Sequence, residues 1–432
     1  MNAAAGLPPD LAESARTASS AAERGDEGQA VAGWARILAQ RPNHVPTLRA
    51  IAEFSLARRD VTSARRAFQR VADLEPGDPQ SWIQLGLACR ADRDDAGEAD
   101  ALTRALTIDP KDLMALLMRG DLLQRQGRQP EAARAYAAAV AVAPPLDRVV
   151  EHLRAPLRQA MEVSSQHQQA YAAFVDRFID ERRGALGVDQ LDRFRLSLDI
   201  LLGRKKRYDA QPMGYYFPDL KPVEFFERSR FPWLAPIEAA TDAIRGEFEA
   251  VLAADRGFTP YLTYSPDMPL EQWAELNQSL RWSAFHLIKD GLRVDANADR
   301  CPQTMAAISP APQPDQPGRT PVALFSMLKP RTRIPPHVGV SNARLLVHLP
   351  LIIPPDCIYR VGNSWRPWKL GEAFIFDDTI EHEARNDSDR LRAVLIFDIW
   401  HPELTEPERR MIGELARAQD AFNGSAPAGY GS

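Results

Sequence analysis

Two histidines in the C-terminal part of the chain stand where short apolar runs begin or end. His337 lies in PPHVGVSN, before the run ARLLVHL, and His382 lies in FDDTIEHEA, after the run EAFIFDD. Neutral imidazoles at the ends of two neighbouring strands can face one metal ion. A single histidine at a strand end is more often hydrogen-bonded or solvated. The pair therefore predicts a metal site only where the fold brings both rings together.

The residues around this pair predict a β-rich domain. After Arg204, prolines and aromatic residues multiply in YYFPDLKPVEFF and RFPWLAPIE. From Thr320 onward, short apolar runs alternate with clusters of Pro, Gly, Asn and Asp, a pattern typical of a sandwich or barrel. In a jelly roll, the strand ends that carry His337 and His382 can be neighbours. We place this domain at residues 204–415.

The first third of the chain repeats itself. Prolines close amphipathic, Ala- and Leu-rich stretches at intervals of 34 residues, at Pro42, Pro76, Pro110 and Pro144. This period is the signature of tetratricopeptide repeats, whose helix pairs stack into a solenoid. Such a solenoid commonly holds an extended peptide or a partner's helix, although it can also be a spacer. We assign residues 11–144 to the repeats and residues 145–203 to a helical linker.

The aligned repeats show two columns of equivalent positions. Bulky residues occupy the first column, at Trp34, Phe68, Leu102 and Tyr136. Small residues occupy the second column, at Ala30, Ala64 and Ala132, where Glu98 is the exception. Alternation of bulky and small residues predicts that neighbouring helices interlock along these columns.

Charge and composition exclude several classes of protein. The 432 residues carry a formal charge of -5 with both signs interspersed, so nucleic acid or an anionic membrane is not an expected partner. Cys89, Cys301 and Cys357 are far apart and form no CxxC pair, which suits a reducing compartment. The N-terminal residues lack a signal-peptide pattern, and no apolar run is long enough to span a bilayer. We expect a cytoplasmic protein.

Three motifs resemble the catalytic core of the aspartyl/asparaginyl β-hydroxylases: HVGVSNARLLVHL, WKLGEAFIFDDTIEHEARND and LIFDIWHPELT. The resemblance extends from about Trp282 to Glu408, with a weaker lead-in from about Tyr215. It implies a multidomain α + β chain in which the repeats precede a double-stranded β-helix, or jelly roll, with flanking helices. It also implies a dioxygenase that uses Fe(II), 2-oxoglutarate and O2, and that releases succinate and CO2 as it hydroxylates an acceptor.

The resemblance assigns the metal to His337 and His382. Most 2-oxoglutarate oxygenases add a carboxylate two residues after the first histidine. Gly339 stands there in this chain, and the family likewise leaves that place to water. Asp377 and Asp378 are expected to make hydrogen bonds at a strand end rather than to restore a third ligand.

The cosubstrate has two carboxylates and a keto group, so its site needs a chelating metal and a cationic anchor. The resemblance implies that Arg392 binds the far carboxylate and that Ser326 adds a hydroxyl hydrogen bond. It places His348 near the metal-side carboxylate and Trp282 on the pocket wall. Each residue also has an ordinary structural reading, such as surface charge for an arginine or core packing for a tryptophan.

The acceptor is less defined. Arg344 matches an arginine of the family's substrate region, but Leu346 stands where animal members usually carry a second arginine, which puts recognition of an aspartyl side chain in doubt. One hypothesis is hydroxylation of Asp/Asn-type residues in a peptide or protein gathered by the repeats. A second is hydroxylation of a small or lipid-linked acyl substrate, as in a related branch that modifies lipid A. A third is a non-enzymatic repeat scaffold with a degenerate metal-binding sandwich.

Overall fold

The structure is a computed structural model that describes residues 6–186, 191–254, 256–265 and 267–423. The chain divides into two units, Met1–Leu191 and Asp192–Ser432. This division falls within the predicted linker, whose residues 187–190 lie outside the described ranges, as do residues 255 and 266 of the predicted oxygenase domain. The bounds 11–144, 145–203 and 204–415 stay predictions.

The first unit is helical throughout its described residues. Its helices are α1 (Pro9–Glu23), α2 (Glu27–Gln40), α3 (Val45–Ala57), α4 (Val61–Leu74), α5 (Pro79–Ala91), α6 (Asp95–Ile108), α7 (Leu113–Arg125), α8 (Gln129–Val142) and α9 (Glu151–Leu186). Helices α2, α4, α6 and α8 begin 34 residues apart, and each packs against the helix before it. The predicted helical repeat is confirmed.

Helix ends and packing follow the same period. Asp26, Asp60 and Asp94 cap α2, α4 and α6, and each carboxylate accepts a hydrogen bond from a backbone N–H in the first turn. Such caps satisfy donors that the helix leaves unpaired. The four residues of the bulky column are all buried, as are the three alanines of the small column. The predicted interlocking of the helices therefore rests on buried side chains.

Glu98, the exception in the small column, is fully buried. Its two carboxylate oxygens accept hydrogen bonds from Arg90 Nε at 2.9 Å and from Arg125 Nη2 at 2.6 Å. A buried carboxylate is tolerated only when it is paired and hydrogen-bonded. Two arginines from the neighbouring helices therefore take the place of apolar packing at this repeat.

The second unit combines helices with two antiparallel sheets. Its helices are α10 (Asp192–Leu201), α11 (Leu234–Ala239), α12 (Thr241–Ala253), α13 (Asp295–Ala298), α14 (Pro302–Ile308) and α15 (Glu406–Asn423). Its strands are β1 (Thr259–Pro260), β2 (Trp282–Lys289), β3 (Leu292–Arg293), β4 (Ala323–Leu328), β5 (Thr332–His337), β6 (Arg344–Ile352), β7 (Cys357–Val361), β8 (Ser364–Pro367), β9 (Phe374–Phe376), β10 (His382–Asn386) and β11 (Arg392–Trp400). The predicted β-rich region is confirmed, whereas its closure into a double-stranded β-helix stays a prediction.

The two sheets differ in size. The major sheet has the order β1-β2-β4-β11-β6-β9, with β3 paired to β2, and the minor sheet has the order β5-β10-β7-β8. Strands β6 and β11 lie side by side in the middle of the major sheet. Their side chains alternate between two faces, since successive residues of a strand point to opposite sides.

One face of β6 and β11 packs against helices. Leu345, Val347 and Leu349 of β6 and Leu395 and Phe397 of β11 belong to a core that also includes residues of α11, α12 and α14. Packing of this face against helices accounts for the apolar sequence of β6, a central strand of the major sheet. Within the described ranges, no helix is long and apolar enough to cross a bilayer.

Candidate active site

Side chains from both sheets line one cavity of about 270 Å³. The major sheet contributes residues of β2, β4, β6 and β11, and the minor sheet contributes residues of β5, β7 and β10. All seven predicted site residues lie on its wall: Trp282, Ser326, His337, Arg344, His348, His382 and Arg392. Ligand sites commonly enclose roughly 300–1,000 Å³, so the volume of this cavity is near the lower end and suits a small molecule.

His337 and His382 are cross-strand partners on β5 and β10. Their ring centroids lie 4.0 Å apart. Nδ1 of His337 is 2.8 Å from the carbonyl oxygen of Pro335, and Nδ1 of His382 is 3.0 Å from that of Ile380. A neutral imidazole that donates Nδ1–H keeps its lone pair on Nε2. The backbone thus selects the tautomer in which both Nε2 atoms are available to one metal ion.

Burial keeps the histidines of the cavity neutral. It lowers the pKa of His337 to about 3, with a further contribution from His382, and lowers the pKa of His382 to about 4. The pKa of His348 is lowered well below its ordinary value by burial and then by Arg392. Neutral imidazoles bind a metal without first losing a proton. No group of three or more His, Cys, Asp or Glu side chains in the described ranges has the geometry to hold a metal.

Asp378 fills the space beside Gly339. A Cβ at Gly339 would lie 2.1 Å from Asp378 Oδ2, so the position has no room for a side chain. The Asp378 carboxylate is buried on the cavity wall, and its Oδ2 lies 3.3 Å from Arg344 Nη2. The expected strand-end hydrogen bonds are confirmed for Asp377, which accepts from the backbone N–H of Thr379 at 2.9 Å and from its hydroxyl at 2.6 Å. The Asp378 carboxylate also accepts a hydrogen bond, and its donor is the guanidinium of Arg344 at the start of β6.

Arg392 supplies a buried cation at one end of the cavity. Its side chain is only 2% exposed, and its Nη1 has no hydrogen-bond partner among the described residues. Burial lowers its pKa to about 10. Its guanidinium carbon lies 5.0 Å from the ring centroid of Trp368. A buried guanidinium without a counter-charge is costly, so this end of the cavity fits an anionic ligand.

Three further predicted residues surround Arg392. Trp282 donates its indole N–H to Ser326 Oγ at 3.2 Å. Ser326 lies on β4 opposite Val394, two residues from Arg392 on β11. Both ring nitrogens of His348 are buried without a hydrogen-bond partner in the part of the chain that the structure describes. The sequence therefore identified polar groups that the fold brings into one cavity.

The structure adds residues that the sequence motifs did not single out. Asp398 is fully buried at the same cavity, on the face of β11 that also carries Arg392. Alternation along β11 could have placed it there, because the two positions are an even number of residues apart. Tyr261 stacks on Trp282 with ring centroids 3.9 Å apart. Tyr359 is 3% exposed, and burial raises its pKa well above its ordinary value. Neither tyrosine lies in a motif, so only the tertiary structure reveals them.

Sequence comparison connects this half of the chain to known enzymes. A family model described as "Aspartyl/Asparaginyl beta-hydroxylase" matches residues 238–402. The chain is 34% identical over 203 residues to the ornithine lipid ester-linked acyl 2-hydroxylase of Rhizobium tropici, an alignment that covers 46% of this chain and 68% of that enzyme. It is 30% identical over 222 residues to the aspartyl/asparaginyl beta-hydroxylase of Homo sapiens, covering 49% of this chain but only 29% of the human protein.

Structural comparison adds little. A crystal structure of the MamA protein aligns with 42% of this chain and 97% of its own, with a TM-score of 0.32 and 19% identity. A likeness at this level carries no argument about function or fold.

Proposed function

The chain belongs to the aspartyl/asparaginyl β-hydroxylase family, and from this premise we propose that it is an Fe(II)- and 2-oxoglutarate-dependent hydroxylase. One observation carries the proposal. Two neutral imidazoles with fixed tautomers line the same cavity as a buried guanidinium that has no counter-charge among the described residues. The two imidazoles suit a ferrous ion, and the guanidinium suits the far carboxylate of a dicarboxylate that chelates this ion.

We assign Fe(II) to Nε2 of His337 and Nε2 of His382. The ion, together with O2 and 2-oxoglutarate, supplies the oxidising chemistry that hydroxylates a C–H bond. The carbonyls of Pro335 and Ile380 hold the two rings in orientation by accepting their Nδ1–H groups. With two imidazoles as its protein ligands, the ion should bind more weakly than at a three-ligand site.

The far carboxylate of 2-oxoglutarate is assigned to Arg392. Charge-assisted hydrogen bonds to a guanidinium are strong and directional, and they suit a planar carboxylate. Ser326 can add a further hydrogen bond, since its Oγ accepts the indole N–H of Trp282 and its own hydrogen is free to point elsewhere. We assign to His348, whose ring nitrogens have no partner among the described residues, a hydrogen bond to the carboxylate on the metal side. Burial of all four residues keeps water from competing for these contacts.

The C–H bond to be hydroxylated must approach the metal along the part of the cavity wall that is not assigned to 2-oxoglutarate. Our first candidate is an Asp/Asn-type residue of a peptide or protein. A second candidate, a small or lipid-linked acyl substrate, is favoured by the similarity to an acyl 2-hydroxylase and by the apolar wall of Val322, Leu324, Leu346 and Ile396. The non-enzymatic scaffold is disfavoured, because the chemistry-bearing side chains meet in one cavity.

The helical repeats are the proposed site of a peptide or protein partner. A groove of about 450 Å³ in the first unit is lined by residues of α6, α7 and α8. Leu116 and Leu122 line it, together with Arg119, Arg134 and an Arg128 that pairs with Glu131 on the same wall. Grooves of this kind in stacked helix pairs suit an extended segment with apolar side chains and acidic neighbours.

The test follows succinate. The protein is purified without oxygen, and Fe(II), 2-oxoglutarate and O2 are added with or without candidate peptides and acyl compounds. We expect succinate formation that depends on Fe(II), that His337→Ala or His382→Ala abolishes, and that the correct acceptor stimulates.

A matched control separates these effects from general damage. His286→Gln changes another largely buried histidine of the same unit that does not line the cavity, and it should leave succinate formation intact. Absence of turnover in every mixture, together with Fe(II) uptake that neither alanine variant reduces, would support the scaffold instead. Stimulation by an acyl compound but by no peptide would favour the second candidate.

A further inference from the structure

Two neighbouring strands, β6 and β11, form the part of the cavity around Arg344, Leu346 and Asp398, which we call the acceptor end. Arg344, Leu346 and His348 alternate onto the cavity face of β6, and Arg392, Ile396 and Asp398 do the same on β11. The strand register sets Asp398 directly opposite Leu346. Asp398 therefore faces an apolar side chain at the position where a cross-strand cation could have paired with it.

Asp398 is only partly satisfied by its surroundings. Its Oδ1 accepts the backbone N–H of Val322 at 2.9 Å. Its Oδ2 is buried and finds no hydrogen-bond partner in the described part of the chain. The nearest cation is Arg344, whose Nη1 lies 4.0 Å from Oδ2. Burial raises the pKa of Asp398 to about 6, against the lowering effect of Arg344.

Arg344 is shared between two carboxylates. Besides its contact with Asp398, its Nη2 lies 3.3 Å from Asp378 Oδ2. The formally charged side chains on the described cavity wall are these three and Arg392, which stands at the cosubstrate end. Asp398 alone is sufficient to balance Arg344. An incoming carboxylate therefore meets no uncompensated positive charge at the acceptor end.

Resting on the proposed function, we infer that the acceptor group that enters beside Arg344 is an uncharged hydrogen-bond donor, such as an amide, and not a carboxylate. A donor N–H or O–H satisfies Asp398 Oδ2, whereas a carboxylate would be repelled by the two acids and would have to displace one of them from Arg344. Inside a buried cavity such repulsion is strong, because the low local dielectric screens it little. Leu346 is the residue that sets this preference.

The experiment compares two probes that differ by one charge. The binding of N-acetyl-asparagine amide and of N-acetyl-aspartate amide is measured by calorimetry in the presence of 2-oxoglutarate, without oxygen and without turnover. The wild-type protein should bind the asparagine probe more tightly. Leu346→Arg places a guanidinium opposite Asp398 and releases Arg344, so it should tighten binding of the aspartate probe by at least about tenfold relative to wild type.

Two variants control this result. Leu346→Gln changes the size and polarity of the side chain but adds no charge, and it should not tighten binding of the aspartate probe. Asp398→Asn removes one of the two carboxylates that share Arg344 and should shift the preference in the same direction as Leu346→Arg. Tighter binding of the aspartate probe by wild type, or unchanged affinities in both Leu346→Arg and Asp398→Asn, would overturn the inference.

The outcome is independent of catalysis. All the proteins compared retain Arg392, so any binding of a probe at the cosubstrate end is common to them. Absence of Fe(II)-dependent succinate formation by the wild-type protein would contradict the proposed function but would leave the charge preference measurable. A missing charge preference in an active enzyme would contradict only the present inference.

Discussion

Replacing Arg392 with methionine should stabilise the free protein and abolish its stabilisation by 2-oxoglutarate. The pKa of Arg392 is lowered from 12.5 to about 10 by burial. A lowered pKa on a cation means that the folded state holds the charged form at a cost, and this cost is fully present below about pH 10. At about 1.4 kcal/mol per pKa unit, the cost is about 3 kcal/mol.

The expected gain is smaller than this cost. The guanidinium lies over the ring of Trp368, and such a contact contributes about 0.5–2 kcal/mol, which methionine loses. Methionine fills a similar space with apolar atoms, so packing is largely kept. The free energy of unfolding should therefore rise by about 1–3 kcal/mol in the absence of ligand.

The substitution should stabilise the free protein but weaken the binding of 2-oxoglutarate. Each hydrogen bond to a charged group contributes about 1.5–3 kcal/mol, so two bonds from Arg392 to a carboxylate are expected to change the Kd by about 10²–10⁴. Wild type with ligand at 100 times its Kd is stabilised by about 2.7 kcal/mol. The variant at the same concentration should show less than about 0.4 kcal/mol.

Urea unfolding monitored by hydrogen–deuterium exchange of β4 and β11 reports the second unit separately from the first. Arg390→Met is the matched control, because Arg390 is exposed and lies two residues before Arg392. It should change neither stability nor ligand stabilisation. A less stable Arg392→Met variant that still gains about 2.7 kcal/mol from 2-oxoglutarate would refute the assignment of this residue.

Three further predictions concern stability. Glu98→Ala removes the buried hydrogen bonds to Arg90 and Arg125, which are partly exposed and keep other carboxylate partners, and it should destabilise the first unit by about 1–3 kcal/mol. Glu131→Ala, which removes a more exposed pair with Arg128, should cost less than about 1 kcal/mol; exchange of α5–α7 amides in urea measures both. Gly339→Ala forces Asp378 to move and should cost about 1–3 kcal/mol in urea unfolding, whereas Gly246→Ala, at a helical position with open space, should be neutral or stabilising. Burial lowers the pKa of His286 from its ordinary value of 6.5 to about 4. Stability that is present above about pH 6.5 should therefore be lost as the pH falls toward 4, by up to about 3 kcal/mol. His286→Gln should reduce this pH dependence in a series of unfolding measurements.

The parts of the fold that follow from local pattern could be predicted from sequence. The 34-residue period predicted the helix pairs, because each repeat must bury the same faces against its neighbours. The histidines and Arg392 could be placed at one site through motifs that resemble a known family. Alternation along β6 and β11 then accounts for which of their side chains reach the cavity.

Charge pairing could not be predicted in the same way. Glu98 is an exception in a column of alanines. Its partners Arg90 and Arg125 could not be identified from the sequence, because helix packing brings them to it. A hydrogen bond at a strand end was expected for Asp378, but the donor, Arg344 of β6, is set by the tertiary structure. The pairing of Asp398 with Leu346 depends on the strand register, which no single motif contains.

We propose that His337 and His382 hold one ferrous ion beside the Arg392 anchor. Anaerobic titration with Fe(II) in the presence of 2-oxoglutarate, followed by the visible absorption that chelation of Fe(II) by a 2-oxo acid produces, tests it most directly. We predict saturation at one ion per chain for wild type and for His286→Gln, and no absorption for His337→Ala or His382→Ala at the same concentrations. Undiminished absorption in either alanine variant would contradict the claim.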